Sequence, residues 1–311
     1  MRDHVVIIGS GLMGSGIAAR SALAGNPTIL VDTQYSYAKK GVEQAYRCMV
    51  ELEANGLTDR ETLEKGKGLL VCSETMEEAL SHAFMVIEAV YENLELKQDL
   101  FQKMDQLLPV EVPIASNTSG LRITDIAARV EHPERTMTTH FWFPAHLVPL
   151  VEVVMSQYTD EALAVHVKEE LIRWGKAPVL VRKDLPGQLA NRILQAVIRE
   201  AVNIVEIGLA SPEDVDTAVK MGMGIRFPAW GPLEHIDAVG LELCESVQNT
   251  VLPEISDRKE ASQLFRKRIE NGEEGYKTGK GIYDWSVKDM DRLAAGRNRF
   301  IIEALKILNN E

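Results

Sequence analysis

Cysteine is scarce in this chain. Cys48, Cys72 and Cys244 are the only three among 311 residues, odd in number and far apart. That excludes a disulfide-framed secreted domain, and reduced thiols in a cytoplasmic setting are expected. No apolar run approaches the roughly 20 residues that cross a bilayer. A strand expected from about residue 4 leaves no room for a leader peptide. Positive charge is also in short supply: 34 Lys and Arg against 46 Asp and Glu give a formal net charge of −12. Nucleic acid or an anionic membrane surface is therefore not the expected general partner, although a local basic pocket for an acidic small molecule remains open. There are no internal repeats and no low-complexity segment, and nothing calls for a metal. The rest is an ordinary globular composition, 45% hydrophobic and 26% charged, in a chain long enough for two domains.

Glycine is concentrated where it has work to do. Residues 5–8 form a continuous apolar run, short enough to be a strand buried on both faces. Gly9, Gly11 and Gly14 follow at G-x-G-x-x-G spacing, with Leu12 and Met13 inside the loop, and Ile17, Ala18 and Ala19 open a helix. Gly9 suits a tight turn, Gly11 lets the backbone approach a pyrophosphate, and Gly14 lets helix pack on strand. The unsatisfied N–H groups of the first helical turn would face the phosphates. A second apolar run, residues 28–31, ends in Asp32, where a carboxylate accepts hydrogen bonds from an adenosine ribose. Thr33 and Gln34 follow with no Arg for a 2′-phosphate, so NAD is expected over NADP.

The expected fold class is α/β: a Rossmann-type, doubly wound parallel sheet with a helical-hairpin insertion, then an all-α C-terminal domain. The hairpin spans residues 37–55 and a second helix whose Thr58-Asp-Arg-Glu61 start has a capping-box pattern. It is expected to project between the second and third strands. Its cations (Lys39, Lys40, Arg47, Arg60, Lys65, Lys67) form a solvated face by default, or a cap over a long anionic substrate. Further strands are expected at 69–72, 84–90, 112–115, 136–140 and 150–155, and helices at 77–81 and 95–108. Texture changes after Lys183-Asp-Leu-Pro-Gly187, which places the domains at 1–183 and 184–311. The second opens with a helix over 188–208 and ends in a tail helix over 289–309.

Ligands of such sheets bind at the carboxyl ends of the strands, so the chemistry should come from the two loops Glu88-Ala-Val-Tyr-Glu-Asn93 and Ser116-Asn-Thr-Ser-Gly120. A dehydrogenase acting on an alcohol needs a base that takes the hydroxyl proton. Imidazole suits that task, and a carboxylate partner fixes its tautomer. His140 and Glu152, on successive strands, fit those roles, and Ser119 could hydrogen-bond the reacting oxygen. His146, His166 and His235 lack such a partner pattern.

With these residues in view, the chain resembles the L-3-hydroxyacyl-CoA dehydrogenases from about residue 3 to Trp285. The resemblance is carried by Gly9-Ser-Gly-Leu-Met-Gly14, Ser116-Asn-Thr-Ser119, His140-Phe-Trp-Phe-Pro144, Pro149-Leu-Val-Glu-Val153, Lys183-Asp-Leu-Pro-Gly187 with Asn191-Arg192, and Lys277-Thr-Gly-Lys-Gly-Ile-Tyr283. It implies that His140 is the general acid/base, oriented by Glu152, with Ser119 and Asn191 at the substrate oxygen. It also implies that Glu92, Lys97, Asn117 and Lys277 join the glycine loop and Asp32 in holding NAD, that the hairpin faces CoA, and that the helical domain makes a homodimer.

Three departures qualify this. Phe143 stands where the family has an Asn at the NAD site. Cys48 and Asn55 stand nearest to the hairpin's CoA-contacting serine and lysine. Ile225-Arg-Phe-Pro-Ala-Trp-Gly-Pro-Leu-Glu234 and the tail helix are more similar to the subgroup of lambda-crystallin, L-gulonate 3-dehydrogenase and carnitine dehydrogenase, which take small acids without CoA. In that version Arg226 could bind a free carboxylate from the partner subunit or be a plain surface or interface arginine, while Trp142, Phe143 and Trp230 could line a small or cationic substrate pocket or serve packing alone. The leading expectation is an NAD-dependent oxidoreductase of short L-3-hydroxyacyl-CoA thioesters, in the keyword range of fatty acid metabolism. The alternative takes a free small 3-hydroxy acid. A non-catalytic, crystallin-like protein would show decay of Ser119, His140, Glu152 and Asn191, and all four are present. The 6-phosphogluconate-type dehydrogenases use a catalytic lysine where this chain has the His140 and Glu152 pair.

Overall fold

The computed structural model describes residues 3–308. In chain order it contains β1 (His4–Ile8), α1 (Leu12–Leu23), β2 (Thr28–Val31), α2 (Tyr35–Ala54), α3 (Arg60–Leu69), β3 (Leu70–Cys72), α4 (Met76–Leu80) and β4 (Ala83–Glu88). Then follow α5 (Leu94–Leu107), β5 (Ile114–Ser116), α6 (Ile123–Ile126), β6 (Thr136–Phe141), β7 (Leu150–Met155), α7 (Glu161–Arg173) and β8 (Ala177–Val181). The remainder is helical: α8 (Ala190–Glu206), α9 (Pro212–Ala218), α10 (Pro232–Val239), α11 (Leu241–Val251), α12 (Gln263–Glu270) and α13 (Met290–Leu308). Residue 309, where the expected tail helix ends, lies outside the described residues.

The strands form one eight-stranded sheet in the order β3-β2-β1-β4-β5-β6-β7-β8. All neighbours pair in parallel except β6 and β7, which are antiparallel. Every residue of β1 is buried, as its unbroken apolar run requires. Val5 and Ile7 join α1, α2, α3 and α7 in one core, while Val6 and Ile8 join α4, α5 and α6 in another. The two-residue period of a strand therefore loads both faces of the sheet.

The short α6, α7 and β8 have no counterpart in the sequence reading. α7 is capped by Asp160, whose side chain accepts from the Leu163 N–H, and buries Ala164, Val167 and Leu171. β8 contains Pro178 and lies at the end of the sheet, where a missing ladder donor is tolerated. The hairpin also differs from expectation. Rather than projecting, α2 and α3 lie against α1, with Ala45, Cys48, Met49 and Leu63 in the core that holds Ile17, Ala18 and Ala22. The cap of α3 is Asp59 rather than Thr58, and it accepts from the Thr62 N–H at 2.7 Å.

The chain forms two compact units: one comprises residues up to Ala190 together with the chain from Ile301, and the other is Asn191–Phe300. Among the described residues no helix is long and apolar enough to cross a membrane.

Candidate active site

The glycine loop is fixed by what a side chain would meet there. Gly9 has φ +98°, and a Cβ on it would stand 2.6 Å from the Ala89 carbonyl oxygen. A Cβ on Gly14 would run into the Gly9 carbonyl. One on Gly11 would meet nothing within 4 Å. The strand, turn and helix thus close on each other at Gly9 and Gly14 and leave open space over Gly11, the space a pyrophosphate needs. Leu12 is largely exposed beside it and Met13 half-buried.

Asp32, at the end of β2, accepts from the Ser10 N–H at 2.7 Å and the Ser10 hydroxyl at 2.6 Å. Its second oxygen accepts from the Thr33 N–H at 2.7 Å. Burial works to raise this carboxyl, but the Ser10 and Thr33 hydrogen bonds outweigh it and hold it below the ordinary range. Asp32 stays an acceptor, as a ribose diol demands.

At the ends of β4 and β5, a buried lysine organises the loops. Lys97 is 1% exposed and sits between Glu88 (2.8 Å) and Glu92 (3.2 Å). Ser116 donates to Glu88 at 2.7 Å. Glu92 in turn accepts from the Thr118 hydroxyl and the Gly120 N–H, the two neighbours of the exposed Ser119. Lys97 therefore lies beneath Glu92, out of solvent. Asn117 ties β5 to β6, its N–H donating to the Glu88 carbonyl and its side-chain oxygen accepting from the Phe141 N–H at 2.8 Å.

His140 and Glu152 are direct cross-strand partners in the antiparallel β6–β7 ladder. Directly opposed residues point to the same face, and His140 Nδ1 lies 2.7 Å from Glu152 Oε2. The Trp142 indole N–H donates to the same oxygen at 3.1 Å. The N–H groups of Leu189 and Ala190, where α8 begins, each donate to Oε1 at 2.8 Å. A carboxylate offers about four lone-pair sites, and all are taken. Burial alone would push this carboxyl up, but the His140, Ala190, Trp142 and Leu189 bonds reverse the shift and bring it to about 2. Glu152 is thus a fixed anion, and Nδ1 of His140 carries the proton that it accepts. Nε2 is the atom left for chemistry.

The loop from β6 to β7 is held from below by Lys176, a buried lysine that donates to the carbonyls of Ala145 and Val148 (2.9 Å to the latter). Burial, with Arg20 nearby, lowers its pKa well below the usual lysine value.

Sequence reasoning named His140 and Glu152 as a pair, which the structure brings together, and assigned Asp32, Glu92 and Asn117 to the segments that follow strands. It did not foresee Trp142 as a ligand of Glu152, nor Gln188. That residue has φ +51°, donates its amide to the Thr118 carbonyl at 3.0 Å, and keeps a buried Oε1 with no hydrogen-bond partner. The only signal for it is its place after Pro186-Gly187. Asn191, Arg226 and Lys277 lie in the second unit. There Arg226 stands 5.8 Å from the Trp230 ring centroid, with His235 Nδ1 3.5 Å from its Nη2. Phe143 is half-exposed.

Residues 4–185 match the NAD binding domain of 3-hydroxyacyl-CoA dehydrogenase, and residues 187–285 match the C-terminal domain of the same enzyme. The chain belongs to the 3-hydroxyacyl-CoA dehydrogenase family. Like its relatives, this dehydrogenase is an NAD-dependent oxidoreductase, and the loop around Gly11 with Asp32 fits that cofactor. It is 35% identical to a probable 3-hydroxybutyryl-CoA dehydrogenase of Bacillus subtilis over 92% of this chain and 98% of that one. It is 31% identical to the 5-formyl-3-hydroxy-2-methylpyridine 4-carboxylate 5-dehydrogenase of Mesorhizobium japonicum over 99% of both chains. A solved structure described as a dehydrogenase of that pyridine carboxylic acid and an NAD+ dependent dismutase superposes with a TM-score of 0.90, at 31% identity and 99% coverage of each chain.

Proposed function

We propose that this dehydrogenase interconverts a small free hydroxy acid and its oxo form, using His140 as general base and acid. In oxidation the substrate hydroxyl gives its proton to Nε2 of His140, and the fixed anion of Glu152 steadies the imidazolium through Nδ1. Bound NAD supplies the hydride acceptor in this direction and the hydride donor in the other. Ser119, held out between two neighbours bonded to Glu92, contacts the reacting oxygen, and Asn191 its surroundings. The glycine loop, Asp32, Glu92, Asn117 and Lys277 hold the cofactor, with Lys97 acting through Glu92. The working form is a homodimer.

The substrate assignment is carried by the hairpin. Over residues 35–69 six cations (Lys39, Lys40, Arg47, Arg60, Lys65, Lys67) face six acids (Glu43, Glu51, Glu53, Asp59, Glu61, Glu64), a net charge of zero. Arg60, Lys65 and Lys67 are already paired with Glu64 and Glu61. Cys48 is buried in the core, and Asn55 donates to the Glu51 carbonyl. Lys39 and Lys40 lie over the Tyr35 and Tyr37 rings and Arg47 donates to Gln44, which leaves a hairpin of zero net charge poorly suited to the several negative charges of a CoA group. Arg226, by contrast, has no carboxylate partner among the described residues and suits a free carboxylate from the substrate. The thioester is the second reading, favoured by the 35% identity to the Bacillus protein.

NADH oxidation by the purified protein, with acetoacetate, dehydrocarnitine and acetoacetyl-CoA side by side, separates the two. Turnover of a free acid without turnover of the thioester is expected. Strong activity on acetoacetyl-CoA alone would return the chain to the thioester enzymes.

A further inference from the structure

Ser119 lies between two peptide groups, and each is held by a side chain from elsewhere in the chain. In the group that follows it, the Gly120 N–H donates to Glu92 at 3.0 Å. In the group that precedes it, the Thr118 carbonyl accepts from the Gln188 amide at 3.0 Å. A peptide group is planar, so these two bonds fix the planes between which the Ser119 side chain springs.

Gln188 makes its contact from an unusual backbone. Among the described residues only it and His82 have a positive φ without being glycine, and for Gln188 the value is +51°. A long side chain has no local hydrogen bond to favour that region. Gln188 is also 7% exposed, and its Oε1 finds no donor among the described residues. Both features weaken the fold rather than support it. What the conformation achieves is a division of direction. The side chain runs to Thr118, while the next two N–H groups, those of Leu189 and Ala190, run to Glu152 Oε1. Glu152 in turn orients His140 through Nδ1. Three consecutive residues therefore join the loop that carries Ser119 to the carboxylate behind His140.

We propose that Gln188 is a positioning residue that sets Ser119 against His140. Ser119 must meet the reacting oxygen while Nε2 of His140 meets its proton, and two contacts made at once tolerate little displacement. Gln188 acts by holding the peptide group before Ser119 from the same turn that anchors Glu152. The inference rests on the contact of Ser119 with the reacting oxygen, and not on which acid is turned over.

Gln188→Met keeps the length and burial of the side chain and removes the amide. With Ser119→Ala and the double variant it completes a cycle, read by kcat on whichever oxo acid or thioester the parent reduces, by NADH fluorescence and by Tm. In Gln188→Met kcat should fall about tenfold or more, with Tm and NADH affinity close to the parent's. The double variant should match Ser119→Ala within about twofold, since a residue that acts through Ser119 has nothing further to lose. A Gln188→Met kcat equal to the parent's, or two losses that multiply in the double variant, overturns the proposal. Should Gln188→Met not fold, Gln188→Asn takes its place in the cycle, with an amide one methylene too short to reach Thr118. Parent-like turnover by Ser119→Ala alone would sink the reading of Ser119 itself, and the proposal with it, before Gln188 is touched.

Discussion

Each oxygen of Glu152 faces two donors, so an amide in its place must turn its NH2 toward groups that can only donate or that need an acceptor. Glu152→Gln is therefore expected to lower turnover and to cost about 1–3 kcal/mol of stability at neutral pH, the usual cost of stranding buried donors. The acid limb of stability should change as well. A carboxyl held at about 2 in the folded chain against an ordinary 4.5 contributes stability that is complete above pH 4.5. That contribution is lost as pH falls toward 2. Chemical denaturation of Glu152→Gln across this window should show a shallower loss than the parent; an equal slope would mean that Glu152 is not the anion described. His140→Gln should cut turnover by about 10²–10⁴ while leaving NAD binding nearly intact, and unchanged turnover would remove His140 from the mechanism. Of this constellation, the imidazole and its carboxylate were legible as residue types on successive strands and through the family resemblance, whereas their meeting follows only from the β6–β7 register. The indole of Trp142 was not, since an aromatic beside a core carries no pattern that tells a hydrogen-bond donor from packing. Gln188 was hidden for a similar reason: its unusual φ follows from the turn at Gly187, and its unpaired oxygen exists only in three dimensions.

At the scale of elements, the strand–turn–helix around the glycines makes a paired prediction. Gly11→Ala meets open space, so the variant should keep its Tm and lose NAD affinity. Gly14→Ala collides with the Gly9 carbonyl and should be markedly less stable before any ligand is added. Calorimetry with and without NAD distinguishes them, and equal Tm losses would contradict the geometry. Such elements were legible because their causes are local: a continuous apolar run for a doubly buried strand, glycine for a turn at φ +98°, a carboxylate at the next strand end. Where the sequence reading failed, the deciding partner lay elsewhere. β8 is a strand because β7 offers a ladder to an edge that tolerates Pro178, and α2 and α3 lie down because α1 presents small residues to them.

At the scale of the molecule, the unit Asn191–Phe300 has a marginal interior. Among the described residues, Val202 is its only large apolar side chain to be buried, while Ile193, Leu209, Leu233 and Leu241 are more than half exposed. Uncovered apolar surface on this scale marks an interaction site, and a second copy of the chain is the proposed partner. Sedimentation equilibrium at micromolar concentration should give twice 34.6 kDa, and a mass of one chain would refute the dimer.

The register of β6 and β7 also bears on how such a protein can change. Because His140 and Glu152 meet through the ladder, their alignment is a matter of strand register, and a one-residue slip would turn one side chain to the opposite face. Proton transfer and substrate choice are therefore encoded in separable stretches. Residues 143–149 have anchors of their own in Lys176 and Glu51, so side-chain exchanges that respect those anchors can alter specificity while the acid/base pair is inherited unaltered.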